Sequence, residues 1–113
     1  MNLSTNRTDG ITVVRVEETK LMYPLLSNFS ESITSLLAKG ETKVVIDMSQ
    51  VVYVDSASIG CLMDLYRQAE QAGGAVKLSG VQKRVETMLT MTGTQNFIEL
   101  HPDQSGAVKS FGG

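Results

Sequence analysis

Short apolar runs alternate with longer amphipathic stretches along this chain. The segment Ile11–Glu17 is β-branched and partly alternating, and it follows Asp9-Gly10, a favoured hairpin turn. This pattern predicts a β-hairpin with strands near Leu3–Arg7 and Ile11–Glu17. The run Lys43–Met48 is apolar without alternation, which is typical of a strand covered on both faces.

Apolar residues at helical spacing mark three further stretches. The first predicted helix spans about Pro24–Lys39, where Pro24 suits a first turn and Gly40 a stop. The second helix is predicted at about Ser56–Ala72, and the third runs from Val81 to near Gly93. The shorter segments are strands at Ala75–Leu78 and Phe97–Leu100, a final helical turn near Ala107–Phe111, and Val51–Val54, which is either a strand or the approach to the second helix.

The resulting element order is β-β-α-β-α-β-α-β-α. Strands that alternate with helices predict an α/β fold, in which a mixed, mostly parallel sheet carries packed helices after an N-terminal β-hairpin. The length of 113 residues suits one domain, and we expect a single domain over residues 1–113.

Composition narrows the function classes. The apolar fraction of 42% and charged fraction of 19% suit a compact soluble domain. A formal charge of −2 argues against a nucleic-acid partner and against electrostatic membrane binding. One histidine, His101, and one cysteine, Cys61, exclude multi-histidine and cysteine-based metal sites. No apolar stretch is long enough to span a bilayer, and the polar N-terminus is unlike a secretory signal, so we expect a cytoplasmic location.

The step Asp55-Ser56 is the position with the most chemical content. It ends an apolar run and opens the second helix, so either residue is a natural N-cap. A serine at such a turn is also accessible to a kinase, and the helix macrodipole would partly stabilise a phosphate there. The rival hypothesis is an enzyme with Ser56 or Cys61 as nucleophile. It is the weaker one because His101, the one available imidazole, lies about 45 residues away in a predicted loop.

The segment Val44–Ser49, followed by Val54-Asp55-Ser56-Ala57-Ser58-Ile59-Gly60, resembles the anti-sigma factor antagonists, the small STAS-domain proteins of bacterial partner-switching systems. Their pattern is an apolar strand, an Asp, an apolar stretch, and then Asp-Ser-(Ser/Ala/Thr)-Gly-(Leu/Ile/Met)-Gly. The resemblance covers roughly Leu3 to Phe111 and implies a STAS fold.

The resemblance also implies a mechanism. Such a protein sequesters an anti-sigma factor, commonly a serine kinase of the ATP-binding histidine-kinase-like type, and so frees a sigma factor. The kinase phosphorylates the serine after the motif Asp, which is Ser56 here, and a PP2C-type phosphatase reverses the step. The implied partner-binding surface is Asp55, Ser56, Ala57, Ser58, Ile59 and Gly60. The resemblance implies no catalytic residue, no metal and no cofactor.

Two departures from the family pattern bear on this site. Ser58 replaces the motif glycine, which would strain the backbone if φ were positive and makes Ser58 an alternative phosphoacceptor. The segment Glu17–Leu21 lacks the Asp that many members carry after the second strand. The alternatives are a STAS signalling or scaffold module in another partner-switching pathway, such as secretion or a stress complex, and a STAS domain of an anion transporter.

Overall fold

A computed structural model describes residues 1–112; Gly113, the last residue of the expected single domain, lies outside the described residues. Within that range the chain forms seven strands and four α-helices. The strands are β1 (Leu3–Thr8), β2 (Ile11–Val16), β3 (Lys20–Leu21), β4 (Lys43–Asp47), β5 (Tyr53–Val54), β6 (Ala75–Ser79) and β7 (Leu100–His101). The helices are α1 (Leu26–Ala38), α2 (Ser56–Gln71), α3 (Lys83–Met91) and α4 (Gln104–Lys109).

The main sheet has five strands in the order β1-β2-β4-β6-β7. The β1–β2 pair is antiparallel and the other three pairs are parallel. The hairpin turn uses positive φ at both Asp9 (52°) and Gly10 (78°), as a tight two-residue hairpin requires. The predicted α/β class, the mostly parallel sheet and the N-terminal hairpin are therefore confirmed.

Strand β4 lies at the centre and is buried on both faces, as its unbroken apolar run predicted. Val44 and Ile46 belong to the larger core cluster with buried residues of α1, α2 and α3. Val45 points to the opposite face, where it packs in a smaller cluster with Ala107 and Val108 of α4. Because successive strand side chains alternate between faces, this one strand joins the two layers.

A second sheet, which the sequence analysis did not predict, has two strands, β3 and β5, paired in parallel with Lys20 opposite Tyr53 and Leu21 opposite Val54. Of the two interpretations of Val51–Val54, a strand or the approach to the second helix, the strand is therefore correct for Tyr53 and Val54. The expected strand Phe97–Leu100 was misplaced: Phe97 is exposed and contacts Tyr66 edge-on, and β7 begins only at Leu100. Helix α1 begins at Leu26 because a 3₁₀ turn occupies Tyr23–Leu25.

Candidate functional site

The second sheet fixes the place where α2 begins. Strand β5 ends at Val54, Asp55 follows, and α2 starts at Ser56. The backbone N–H of Val52 donates to the carbonyl of Thr19 at 2.7 Å, next to the β3–β5 pair. Val54 is fully buried, so the chain is held firmly up to the residue before Asp55. Asp55 and Ser56 therefore directly follow a well-packed strand.

Asp55 is the N-cap of α2. Its carboxylate Oδ1 accepts from the backbone N–H of Ser58 at 2.8 Å, and the Ser58 hydroxyl accepts from the Asp55 backbone N–H at 2.9 Å. These reciprocal bonds form a capping box, which satisfies two backbone donors that the start of a helix would otherwise leave unpaired. Of the two caps that the sequence allowed, Asp55 is the one used.

The second carboxylate oxygen of Asp55 reaches another element. Oδ2 accepts from the backbone N–H of Tyr23 at 2.9 Å, which ties the 3₁₀ turn before α1 to the start of α2. The Tyr23 and Ser58 backbone N–H groups hold the pKa of Asp55 below its usual value, against a smaller opposing effect of burial. Asp55 is therefore a charged connector between two segments that are 32 residues apart in sequence.

Ser56 occupies the first helical position and is exposed. No hydrogen bond to its hydroxyl occurs within residues 1–112. Ala57 and Gly60 are exposed on the same turn, and a side-chain carbon at Gly60 would meet open space. The start of α2 therefore presents a free hydroxyl surrounded by small residues.

Ser58 and Ile59 have a different environment. Ser58 has no exposed surface, and Ile59 is 7% exposed and belongs to the main core. The Ser58 backbone is helical, because Asp9 is the only non-glycine residue with positive φ in the described part of the chain. The family's glycine position therefore causes no strain here, and the Ser58 hydroxyl is engaged in the capping box.

Two exposed tyrosines adjoin Asp55-Ser56. Tyr23 is 74% exposed and is bound to Asp55 through its backbone, and Tyr53, two residues before Asp55, is 38% exposed. Lys20 is exposed and lies opposite Tyr53, so the segment that departs from the family pattern is next to the candidate site. The sequence analysis placed no aromatic residue in the candidate site. It did not select Tyr53 or Lys20, because nothing local revealed the β3–β5 pair.

Cys61, the other candidate nucleophile, and His101, the candidate base, have environments that do not favour catalysis. Burial raises the pKa of the Cys61 thiol, and the carboxylate of Asp64 adds to this effect, which makes Cys61 a poorer nucleophile. His101 is on the edge strand β7, where its Nε2 lies 2.9 Å from Oε1 of Glu99. No cluster of His, Cys, Asp or Glu in the described residues has the geometry of a metal site.

The sequence profile of the STAS domain matches residues 2–107, so this chain belongs to the STAS domain family. A protein of Thermotoga neapolitana, provisionally named as an anti-sigma factor antagonist, is 27% identical over 77 residues, which cover 68% of each chain. The anti-sigma-B factor antagonist of Bacillus subtilis is 25% identical over 73 residues, 65% of this chain and 67% of that protein.

Solved structures confirm the STAS fold. The anti-sigma factor antagonist SpoIIAA in its unphosphorylated form superposes with a TM-score of 0.81 at 14% identity, over 96% of this chain and 95% of SpoIIAA. The Bacillus SpoIIAA structure in the phosphorylated form gives a TM-score of 0.73, over 96% of this chain and 98% of the other. None of the helices in residues 1–112 combines the length and apolarity that a bilayer crossing requires.

Proposed function

We propose that this protein is an anti-sigma factor antagonist whose binding is controlled by phosphorylation of Ser56. In its unmodified form it sequesters an anti-sigma factor, and the phosphorylated form releases it. The observation that carries the proposal is the contrast between two serines in one helical turn. Ser56 is exposed with a free hydroxyl, whereas Ser58 is buried and hydrogen-bonded. The names of the relatives from Thermotoga neapolitana and Bacillus subtilis support the same role.

The partner that fits this site is an anti-sigma factor that is itself a serine kinase of the ATP-binding histidine-kinase-like type. A kinase needs an accessible hydroxyl, which the helix start presents at Ser56. A PP2C-type phosphatase would restore the unmodified form. The protein acts in this scheme as a substrate and a binding module in the cytoplasm, as a single STAS domain without catalysis of its own.

The charge of a phosphate is large enough to act as the switch. At neutral pH it adds about −1.5 to −2 charges, next to the carboxylate of Asp55. Two unit charges 4 Å apart interact by about 4 kcal/mol near a protein surface. A thousandfold loss of affinity requires about 4.1 kcal/mol. A phosphate at Ser56 that faced acidic or poorly hydrated groups of the partner would therefore suffice, while the helix dipole would help the domain to carry it.

The docking surface in this proposal is centred on Asp55, Ser56, Ala57 and Gly60. Ser58 and Ile59 are buried, so they contribute to this surface by packing beneath it and not by direct contact with a partner. Tyr23 and Tyr53 add exposed aromatic area beside it, and aromatic side chains contribute strongly to protein–protein contacts.

Affinity capture with paired baits tests the proposal. Ser56→Ala keeps a neutral side chain, Ser56→Asp adds a charge, and Ser105→Asp is the control with the same charge on the exposed surface of α4. We expect Ser56→Ala and Ser105→Asp to retain an ATP-binding serine kinase from a lysate of the source organism, and Ser56→Asp to lose it. Equal retention of the kinase by all three baits would refute the switch at Ser56.

The second candidate function is a STAS signalling or scaffold module of another pathway. Lys20 favours it, because β3 places this cation beside the site in a segment where many family members carry an Asp. Recovery of a non-kinase complex by the same baits, with no phosphate at Ser56 in cells, would support this function instead.

A further inference from the structure

The carboxylate of Asp55 has two separate attachments. Oδ1 caps α2 through the Ser58 backbone N–H, and Oδ2 accepts from the Tyr23 backbone N–H. Both bonds are short, at 2.8 and 2.9 Å, and both involve a charged acceptor, which makes them stronger than neutral hydrogen bonds. Any change in the position or charge of this carboxylate therefore affects two elements at once.

The element at the other end is the 3₁₀ turn Tyr23–Leu25. It is one turn long, and the Leu25 backbone N–H donates to the carbonyl of Met22 at 2.8 Å. None of its three residues is buried, so packing holds it weakly. Fully buried residues flank the turn on both sides, Leu21 of β3 before it and Phe29 of α1 after it. Between these two anchors, the bond to Asp55 is what holds the Tyr23 backbone N–H.

We propose that Asp55 couples the charge state of Ser56 to the 3₁₀ turn, so that phosphorylation of Ser56 loosens the Asp55–Tyr23 hydrogen bond and releases the turn that carries the Tyr23 side chain. This inference rests on the proposed phosphorylation of Ser56 and extends it. The modification then changes the docking surface in two ways: it adds charge at Ser56 and it repositions an exposed aromatic side chain.

The physical reason is competition at the start of α2. A phosphate on Ser56 would be a stronger anion than the carboxylate and would lie on the adjacent residue. It would repel the Asp55 carboxylate and compete with it for the N–H groups at the helix start. A carboxylate that moves to escape the phosphate cannot keep both of its present bonds, and the bond to the weakly packed turn is the easier one to break.

Hydrogen exchange of the Tyr23 backbone amide, measured by NMR, reports on this bond directly. Phosphoserine placed at position 56 by genetic encoding needs no kinase, so the result does not depend on finding the partner. We expect protection of the Tyr23 amide to fall by about tenfold, which corresponds to about 1.4 kcal/mol. Phosphoserine at Ser35, which is exposed on α1, is the control for added charge and should leave this amide unchanged.

Asp55→Asn is the reference for a broken bond. Asn caps helices as well as Asp does, but it has one carbonyl acceptor where Asp has two oxygens, so α2 is retained and the Tyr23 bond is lost. We expect its Tyr23 amide to exchange like that of the protein with phosphoserine at position 56. Unchanged protection of the Tyr23 amide after phosphorylation overturns the coupling, as does unchanged protection in Asp55→Asn. Neither result would refute partner release by phosphate, because that is measured with the baits.

Discussion

The substitutions Ser56→Ala and Ser58→Ala remove the same hydroxyl from two positions in one helical turn. Both replace Ser by Ala in α2, so the gain in helix propensity is similar and cancels in the comparison. What differs is the contact that is lost. Ser56 is exposed and its hydroxyl has no hydrogen bond within the described residues, whereas Ser58 is fully buried and completes the capping box.

The magnitude follows from the bonds at Ser58. Its hydroxyl accepts from the Asp55 backbone N–H at 2.9 Å, and it lies 2.8 Å from both the carbonyl oxygen and the Oδ1 of Asp55. Loss of a capping side chain costs about 0.5–2 kcal/mol, and an unpaired part-buried donor costs about 1–3 kcal/mol. We expect Ser58→Ala to lower the free energy of unfolding by about 1.5 kcal/mol, and Ser56→Ala to stay within about 0.5 kcal/mol of wild type.

Urea unfolding followed by circular dichroism measures both free energies. The slope of the free energy against urea should be the same in all three proteins, because neither substitution changes the surface exposed on unfolding. The difference between the two variants corresponds to about 6 °C in Tm for a domain of this size. Equal stability of Ser56→Ala and Ser58→Ala, or a larger loss in Ser56→Ala, would refute the assignment of Ser58 as the structural serine.

Four further predictions concern the phosphate acceptor, the attachment of α4, the main core and the dependence of stability on pH. With its kinase and ATP, Ser58→Ala should take up one phosphate at Ser56 by mass spectrometry; uptake by Ser56→Ala equal to wild type would show that the site is wrong. Lys77→Ala removes a buried amine that bonds the Ser110 hydroxyl at 2.9 Å, so amide exchange in α4 should accelerate, and unchanged exchange would contradict this role. Leu62→Ala, at a fully buried position of α2, should cost about 3 kcal/mol in urea unfolding; a loss below about 1 kcal/mol would argue against this core. Burial opposes ionisation of Asp47, but bonds from Ser49 and Gln104 outweigh it and lower its pKa. Its contribution to stability is therefore present above the pKa of the unfolded chain and is lost as pH falls through the lower folded pKa. Urea unfolding between pH 7 and 3 should show this loss, with a smaller dependence in Asp47→Asn; equal dependence in both would contradict it.

Most of the fold could be predicted from strong local patterns in the sequence. The Asp9-Gly10 dipeptide predicted a hairpin turn, and the unbroken apolar run around Val45 predicted a strand buried on both faces; both are present in the structure. The β3–β5 pair escaped detection because strands of two residues are too short to show alternation. The strand at Phe97–Leu100 was placed too early because Phe97 was taken for a buried strand residue. In the structure it is exposed and packs against Tyr66.

The candidate site also has features that the sequence could predict and features that it could not. The position of Asp55-Ser56 at a strand-to-helix turn could be predicted, because capping is local in sequence. The spacing of Asp55 and Ser58 was a signal for the capping box that the sequence analysis did not use. The bond from Tyr23 to Asp55 joins residues that are 32 positions apart, and it follows from tertiary packing that no local pattern encodes.

The affinity of the purified kinase for two forms of this protein tests the central claim most directly. The two forms are the unmodified chain and the chain with phosphoserine at position 56, compared by isothermal titration calorimetry at fixed salt. The account predicts a Kd about a thousandfold higher for the phosphorylated form, equivalent to about 4.1 kcal/mol. Equal Kd values for the two forms would contradict control of partner binding by phosphorylation of Ser56.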